Sequence, residues 1–167
     1  MSGTIVGVAI FLRRLFGIGK LPRDMREQFE REGIIYLAEF VPVTRRFSGK
    51  VPGHRASGSV ASYVGSLVFT SQRAVATLSS VPKVAGRAMD VPWSNGQQGP
   101  VNAEISSSGV TLAADIADVD PQFSGHLSLT YKVEIPDDVL TRLPARQLSF
   151  EVPAEYVYRA VGVPHNP

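Results

Sequence analysis

The chain contains no cysteine and only three histidines among its 167 residues. The absence of cysteine excludes a disulfide framework, a cysteine zinc site, an iron–sulfur cluster and a thiol nucleophile. The sequence also lacks a G-x-S-x-G nucleophile elbow, a phosphate-cradling loop ending in Gly-Lys-Ser/Thr and a G-x-G-x-x-G turn. No set of residues therefore predicts a catalytic site, and we expect a non-enzymatic protein without a cofactor or a bound metal.

The sequence has no long hydrophobic run either. The uncharged stretch Gly3–Leu12 is about half the length of a membrane-spanning helix. Its positive charges, Arg13 and Arg14, follow the apolar stretch, whereas a signal peptide carries them in front. We therefore expect no export signal and, since cysteine is absent, a cytoplasmic protein.

The first residues nevertheless predict a helix that is apolar nearly all round. Such a helix favours burial in its own domain, against a second copy or another protein, or in the interface of an anionic membrane. The pattern leaves these alternatives open. The residues predicted to contact the membrane or partner are Phe11, Leu12, Arg13, Arg14, Leu15 and Phe16.

Charge is distributed unevenly, although the formal net charge is only +2. Residues 1–60 carry ten basic and five acidic side chains, a net +5, and the remaining residues carry a net −3. A basic end is suited to an anionic partner such as a phospholipid surface. No basic run exceeds two residues and no aromatic–basic repeat occurs, which argues against nucleic-acid binding.

Three segments predict helices outside the apolar N-terminus. Pro22–Glu32 begins with a proline, ends before Gly33 and places apolar residues at intervals of four. Pro136–Leu143 begins with an acidic turn, and Pro153–Val161 is closed by Gly162.

Most of the remaining chain predicts short strands separated by turn residues. Ile34–Val41 is rich in branched and aromatic residues, and Pro42 indicates a bulge or a sheet edge. We expect Ser48–Gly53 to form a loop, and Ser71-Gln72 to connect two strands as a hairpin. Many short strands with Gly-rich turns predict an antiparallel barrel or sandwich.

The segment Gly65–Val75 resembles the hairpin of GRAM and bacterial PH-like domains, in which a strand ends in Thr and Arg opens the next strand. The step from Glu32-Gly33 into a long strand and the step Val91-Pro92-Trp93 are similar to the same family. The resemblance implies a mainly β (α+β) fold, an antiparallel PH-like bent β-barrel with a C-terminal helix. Together with the two helices predicted at the N-terminus, this gives a helical extension over residues 1–33, a barrel over 34–163 and a tail over 164–167.

The densest basic patch predicts a site for an anionic ligand. The resemblance places such residues on the loop between two paired strands, where lipid-binding members carry their basic side chains. The predicted ligand-binding residues are Arg45, Arg46, Lys50 and Arg55, with His54 beside them.

A group of acidic residues offers a weaker alternative. Asp115, Asp118 and Asp120 lie close together near His126. Their spacing does not match a calcium-binding loop, and Asp118 and Asp120 before Pro121 are typical of a turn whose carboxylates bind local backbone N–H groups.

The sequence thus predicts a PH-like binding module that is peripheral to the inner face of a membrane or that binds another protein. The alternatives are a self-associating scaffold protein whose N-terminal helix packs against a second copy, and a barrel that binds a small ligand or substrate. The ligand and the oligomeric state are left open.

Overall fold

The computed structural model describes residues 20–81 and 84–163. Its strands are β1 (Ile34–Val51), β2 (His54–Thr70), β3 (Arg73–Val81), β4 (Val84–Pro92), β5 (Val101–Ser106), β6 (Gly109–Asp115), β7 (Ser124–Lys132) and β8 (Gln147–Phe150). Its α-helices are α1 (Arg23–Glu32), α2 (Asp137–Arg142) and α3 (Ala154–Val161), with short 3-10 helices at Trp93–Asn95 and Ile116–Asp118.

The strands form a single antiparallel sheet in the order β4-β3-β2-β1-β7-β6-β5-β8. About 55% of the described residues are in strands, and the sheet curls into a nearly closed barrel accompanied by the C-terminal helix. The predicted antiparallel β-barrel architecture is therefore confirmed. Helix α3 packs against β4 and β1.

The strands β1 and β2 are longer than the sequence indicates. The predicted loop at Ser48–Gly53 is wrong, because β1 continues to Val51 and only Pro52 and Gly53 form the turn. Gly53 has a φ of +83°, a conformation that glycine adopts without steric cost. Strand β2 runs without a break from His54 through Gly65 to Thr70, so it is not one of the short strands expected from the sequence.

The long first strand keeps its pairing by means of bulges. Its register against β2 shifts between Ala38 and Val41, immediately before the proline that predicts a bulge. Phe40 lies within this shift and has a φ of +58°, which is uncommon for a residue with a side chain. Pro42 itself pairs with Val64.

The inner face of the barrel encloses the main hydrophobic core. Tyr131 is fully buried there and donates a hydrogen bond to the carbonyl oxygen of Thr77 at 2.8 Å. Burial raises the pKa of Tyr131 far above its ordinary value, so the hydroxyl stays neutral. Gly65 is needed beside it, because a Cβ there would lie 2.0 Å from the same carbonyl oxygen.

A second hydrophobic cluster lies on the outside of the sheet under α1. Phe29 and Leu21 pack against Val68 and Val75, which point outward from β2 and β3. Glu39 of β1 fixes the start of the helix, since its carboxylate accepts the backbone N–H of Leu21 at 2.7 Å. The helix thus covers an apolar part of the sheet that would otherwise face water.

The end of α1 is joined to the β2–β3 turn by a polar cluster, which we call the turn junction (Glu32, Thr70, Arg73 and Trp93). The hydroxyl of Thr70 donates to the Glu32 carboxylate at 2.9 Å and accepts the backbone N–H of Arg73 at 3.0 Å. The Arg73 guanidinium binds the same Glu32 oxygen at 3.1 Å, and the Trp93 indole donates to the carbonyl oxygen of Thr70 at 2.8 Å. The junction therefore joins a helix, a hairpin and the end of β4.

We expect Thr70→Val to destabilise the protein by about 2 kcal/mol. The substitution preserves the side-chain volume, but it leaves the N–H groups of Gln72 and Arg73 without the oxygen that accepts them. Urea denaturation followed by circular dichroism measures the loss. Thr111→Val is the matched control, because Thr111 is exposed on β6, and it should change the stability by less than about 0.5 kcal/mol. Equal losses would contradict the role of the turn junction.

Candidate functional site

The far end of the β1–β2 hairpin carries three of the predicted ligand-binding residues on its outer face. Arg46, Lys50 and Arg55 are all exposed. Lys50 and Arg55 are cross-strand partners, and Arg46 pairs with Val60. These residues lie on regular strands rather than on the loop that the sequence predicts, because the turn is reduced to two residues. We call this surface the basic hairpin face (Arg46, Lys50, Arg55 and Val60).

The three cations of the basic hairpin face have no acidic partner in the described part of the chain. The adjoining strand β7 places only Ser124, His126 and Ser128 beside Lys50, Ser48 and Arg46. In contrast, Arg26, Arg73, Arg87 and Arg159 each form an ion pair with a carboxylate. Three cations without an ion pair in the described part of the chain therefore lie together on this one hairpin.

Arg45, the fourth predicted residue, points to the opposite face and is only 5% exposed. Its guanidinium donates to the carbonyl oxygen of Val161 at 2.7 Å and to the Ser59 hydroxyl at 2.8 Å. It also lies 5.9 Å from the centre of the Tyr63 ring. Arg45 is thus engaged in holding the end of α3, and we leave it out of the ligand-contacting surface.

The alternation of side-chain directions along β1 could have predicted from the sequence that Arg45 and Arg46 point to opposite faces. Val43, Arg45 and Phe47 share one face of the strand, and all three are buried. Because successive side chains of a strand point to opposite faces, Arg46 lies outside. This alternation was not used in the sequence analysis, because the chain was expected to leave the strand for a loop at Ser48.

His54, expected beside the patch, is half-buried and stacks on Phe47 with ring centroids 6.3 Å apart. Val60 was missed at the sequence level. Its side chain is 56% exposed, and it stands out among the described residues as an exposed large hydrophobic. A lone valine in a serine-rich segment carries no sequence signal of exposure. The predicted contact residues at 11–16 lie outside the described residues.

The acidic group is divided among the end of β6 (Asp115), a short 3-10 helix (Asp118) and the start of a turn (Asp120). Asp120 accepts the backbone N–H of Gln122 at 2.8 Å, as the turn interpretation predicts. Asp115 lies 3.2 Å from His126 Nδ1, and both side chains are largely exposed. Within residues 20–81 and 84–163, no group of three histidine, cysteine, aspartate or glutamate side chains is arranged to hold a metal ion.

The interior offers little room for a ligand. An apolar cavity of about 40 Å³ lies between α3 and the inner faces of β4 to β7, lined by side chains such as Ala88, Leu112 and Val157. Tyr156 also lines it, and burial together with the nearby Asp90 carboxylate raises the pKa of this tyrosine. Small apolar voids of this kind stay dry, and we regard the cavity as a packing gap.

The comparisons with known proteins do not identify the chain: no family model, curated protein or solved structure matches it. Among the described residues, no helix has the length and apolar character needed to cross a membrane.

We expect Arg45→Met to lower the free energy of unfolding by about 2 kcal/mol. Methionine retains most of the apolar stem, but it leaves the Val161 carbonyl oxygen and the Ser59 hydroxyl without their donor. Arg46→Met on the outer face is the matched control and should stay within about 0.5 kcal/mol of the original protein. Chemical denaturation of both variants tests the assignment. A stability loss for Arg46→Met as large as that for Arg45→Met would contradict it.

Proposed function

We propose that this protein is a non-enzymatic binding module, built on a PH-like barrel, that associates with an anionic phospholipid surface through the basic hairpin face. The observation that carries the proposal is the group of three exposed cations on one hairpin that have no acidic partner among the described residues. The inner face of a bacterial membrane would present such a surface to a cytoplasmic protein.

The charges on the hairpin are suited to a surface rather than to a deep site. Arg46, Lys50 and Arg55 project from two adjacent strands on the same side, so a plane of headgroups can contact all three at once. A basic side chain near an anionic leaflet contributes about 1 kcal/mol. Three of them would contribute roughly 3 kcal/mol, enough for reversible peripheral association.

Val60 adds an apolar contact to the same face. It pairs with Arg46 across the strands, so its side chain lies beside a cation and is 56% exposed. An apolar side chain next to basic ones is typical of surfaces that enter the headgroup region. Burying a valine contributes on the order of 1 kcal/mol.

Nucleic acid is a poorer fit to this surface. Binding to single strands depends on aromatic side chains that stack with bases, and the described residues present no exposed large aromatic.

The predicted membrane contact at residues 11–16 would add a second, apolar attachment, which the same experiments can examine by Leu12→Glu and Phe16→Glu in the full chain.

We expect the triple variant Arg46→Gln, Lys50→Gln, Arg55→Gln to bind vesicles containing phosphatidylglycerol roughly a hundredfold more weakly than the original chain, since it loses about 1 kcal/mol per cation. Sedimentation with vesicles at low ionic strength measures the affinity. Vesicles of phosphatidylcholine alone should bind neither protein.

The matched control replaces Arg31, Arg142 and Arg146 by glutamine. These arginines are also exposed, but they lie on α1, on α2 and just before β8 rather than on the hairpin. The control therefore removes the same net charge and should retain most of the binding. Equal losses of vesicle binding in both triple variants would mean that overall charge, and not the position of the cations, determines binding. The absence of binding by the original chain would refute the proposal.

A further inference from the structure

The edges of the sheet are covered by the chain itself at two places. At β4, the Arg159 side chain from α3 lies against Gly86 and donates to the carbonyl oxygen of Arg87. At β8, the carbonyl oxygen of Gly96 accepts the backbone N–H of Ser149 at 3.0 Å, and Gln97 forms a parallel bridge to the same serine. Covering an edge in this way prevents pairing with other chains.

A third edge is left uncovered in the middle of the sheet order. Strand β3 pairs with β2 only from Val64 to Phe69. The first part of β2, His54–Tyr63, pairs with β1 on one side, and within residues 20–81 and 84–163 no strand pairs with its other side. None of its residues is buried. We call this segment the open β2 edge (His54–Tyr63).

The open β2 edge has the length and the side chains that pairing requires. At about 3.3 Å per residue it extends for roughly 33 Å, longer than a typical strand. Apart from the ends of the edge, its side chains are mostly small, so another backbone can approach closely. The small residues are Ala56, Ser57, Gly58, Ser59, Ala61 and Ser62.

One residue interrupts the edge without covering it. Gly58 has a φ of +62°, and its N–H donates to the Ser48 hydroxyl of the neighbouring strand at 2.7 Å. This bulge divides the edge into two parts. The longer part, Ser59–Tyr63, has the usual length of a paired strand.

We propose that the open β2 edge binds an extended, acidic polypeptide segment by β-strand addition. Such recognition takes its affinity from backbone hydrogen bonds and its selectivity from the side chains that flank the added strand. Those side chains include the exposed Arg55, with Lys50 and Arg46 on the adjoining strand. Acidic residues of the added strand compensate this charge, and an apolar residue beside Val60 covers its exposed surface.

The same charges disfavour a second copy of this chain as the occupant. Pairing two open β2 edges would bring two basic hairpin faces together, and like charges in close approach destabilise an interface. The inference does not depend on lipid binding, because a lipid has no backbone to pair with β2. The lipid surface and the acidic peptide would contact the same cations of the protein. Only the peptide would also pair with β2 through backbone N–H groups.

The test uses the full chain, labelled with nitrogen-15, and a synthetic peptide of ten residues that alternates glutamate and valine. We expect amide exchange at alternating residues of the open β2 edge to slow by about tenfold or more when the peptide is present in excess. A glutamate–valine peptide with every backbone nitrogen methylated has the same charge but no backbone N–H group to pair with β2. It should produce no such protection, and a lysine–valine peptide should bind more weakly than the glutamate–valine peptide.

A charge-reversed variant supplies the second measurement. Arg46→Glu with Arg55→Glu leaves the backbone edge intact and should reverse the preference, so that the lysine–valine peptide protects the edge amides better. Equal effects of the glutamate–valine peptide and its fully N-methylated form would mean attraction by charge alone and would overturn strand addition. Protein self-association through the edge, or no protection by any peptide, would also overturn it. Vesicle sedimentation of the same sample reports separately on the proposed function.

Discussion

The buried guanidinium of Arg45 holds the end of the helix that packs against the curled sheet. A single sheet that curls on itself leaves a gap between its first and last strands, and α3 packs across the interior against β4 and β1. Arg45 reaches from the central strand β1 to the last carbonyl of that helix. A cation at a helix C-terminus is favoured by the helix dipole as well as by the hydrogen bond. Arg159 acts in the opposite direction, from the helix to the backbone of β4. Two arginines therefore fasten one short helix to strands on both sides of the barrel.

This inward arginine also decides what the outer face can present. Once Val43, Arg45 and Phe47 are fixed inside, Arg46 faces outward, and a register shift between Phe47 and Gly49 precedes Lys50. The same stretch of β1 thus supplies a structural cation to the core side and ligand-accessible cations to the solvent side. The partners of these cations differ accordingly. Arg45 donates to a carbonyl oxygen and a hydroxyl and lies over a tyrosine ring, although its Nε has no acceptor, whereas Arg46 forms no ion pair in the described part of the chain. A net charge summed over the segment would conceal this division.

The fold could be predicted from the sequence where local signals agree with tertiary packing. The Ser71-Gln72 turn follows Thr70 because the Thr70 hydroxyl accepts the backbone N–H groups of Gln72 and Arg73. The same hydroxyl donates to the Glu32 carboxylate, which also binds the Arg73 guanidinium. The helix at Pro22–Glu32 is found from Arg23 to Glu32 for similarly local reasons. The length of β1 and β2 could not be predicted, because the serine, glycine and proline residues near the hairpin end favour loops, and only pairing along both strands overrides them. The burial of Arg45 could not be predicted for a related reason. A charged residue is expected at the surface unless its buried partner is known, and the partner here is the distant carbonyl group of Val161.

The open β2 edge follows from a mismatch between neighbouring strands. Strand β2 has 17 residues and β3 has nine, so β3 cannot accompany β2 over its whole length. The excess of β2 is stabilised on one side by β1, which has 18 residues. Unpaired strand edges expose N–H and C=O groups that are prone to unwanted pairing, and proteins usually shorten, twist or cover them. In residues 20–81 and 84–163, the chain binds its own groups at one point on each of the β4 and β8 edges, and it limits the third edge by the bulge at Gly58. An edge that is flanked by unpaired cations, and that persists over ten residues, is better explained by a partner strand than by a failure to protect it.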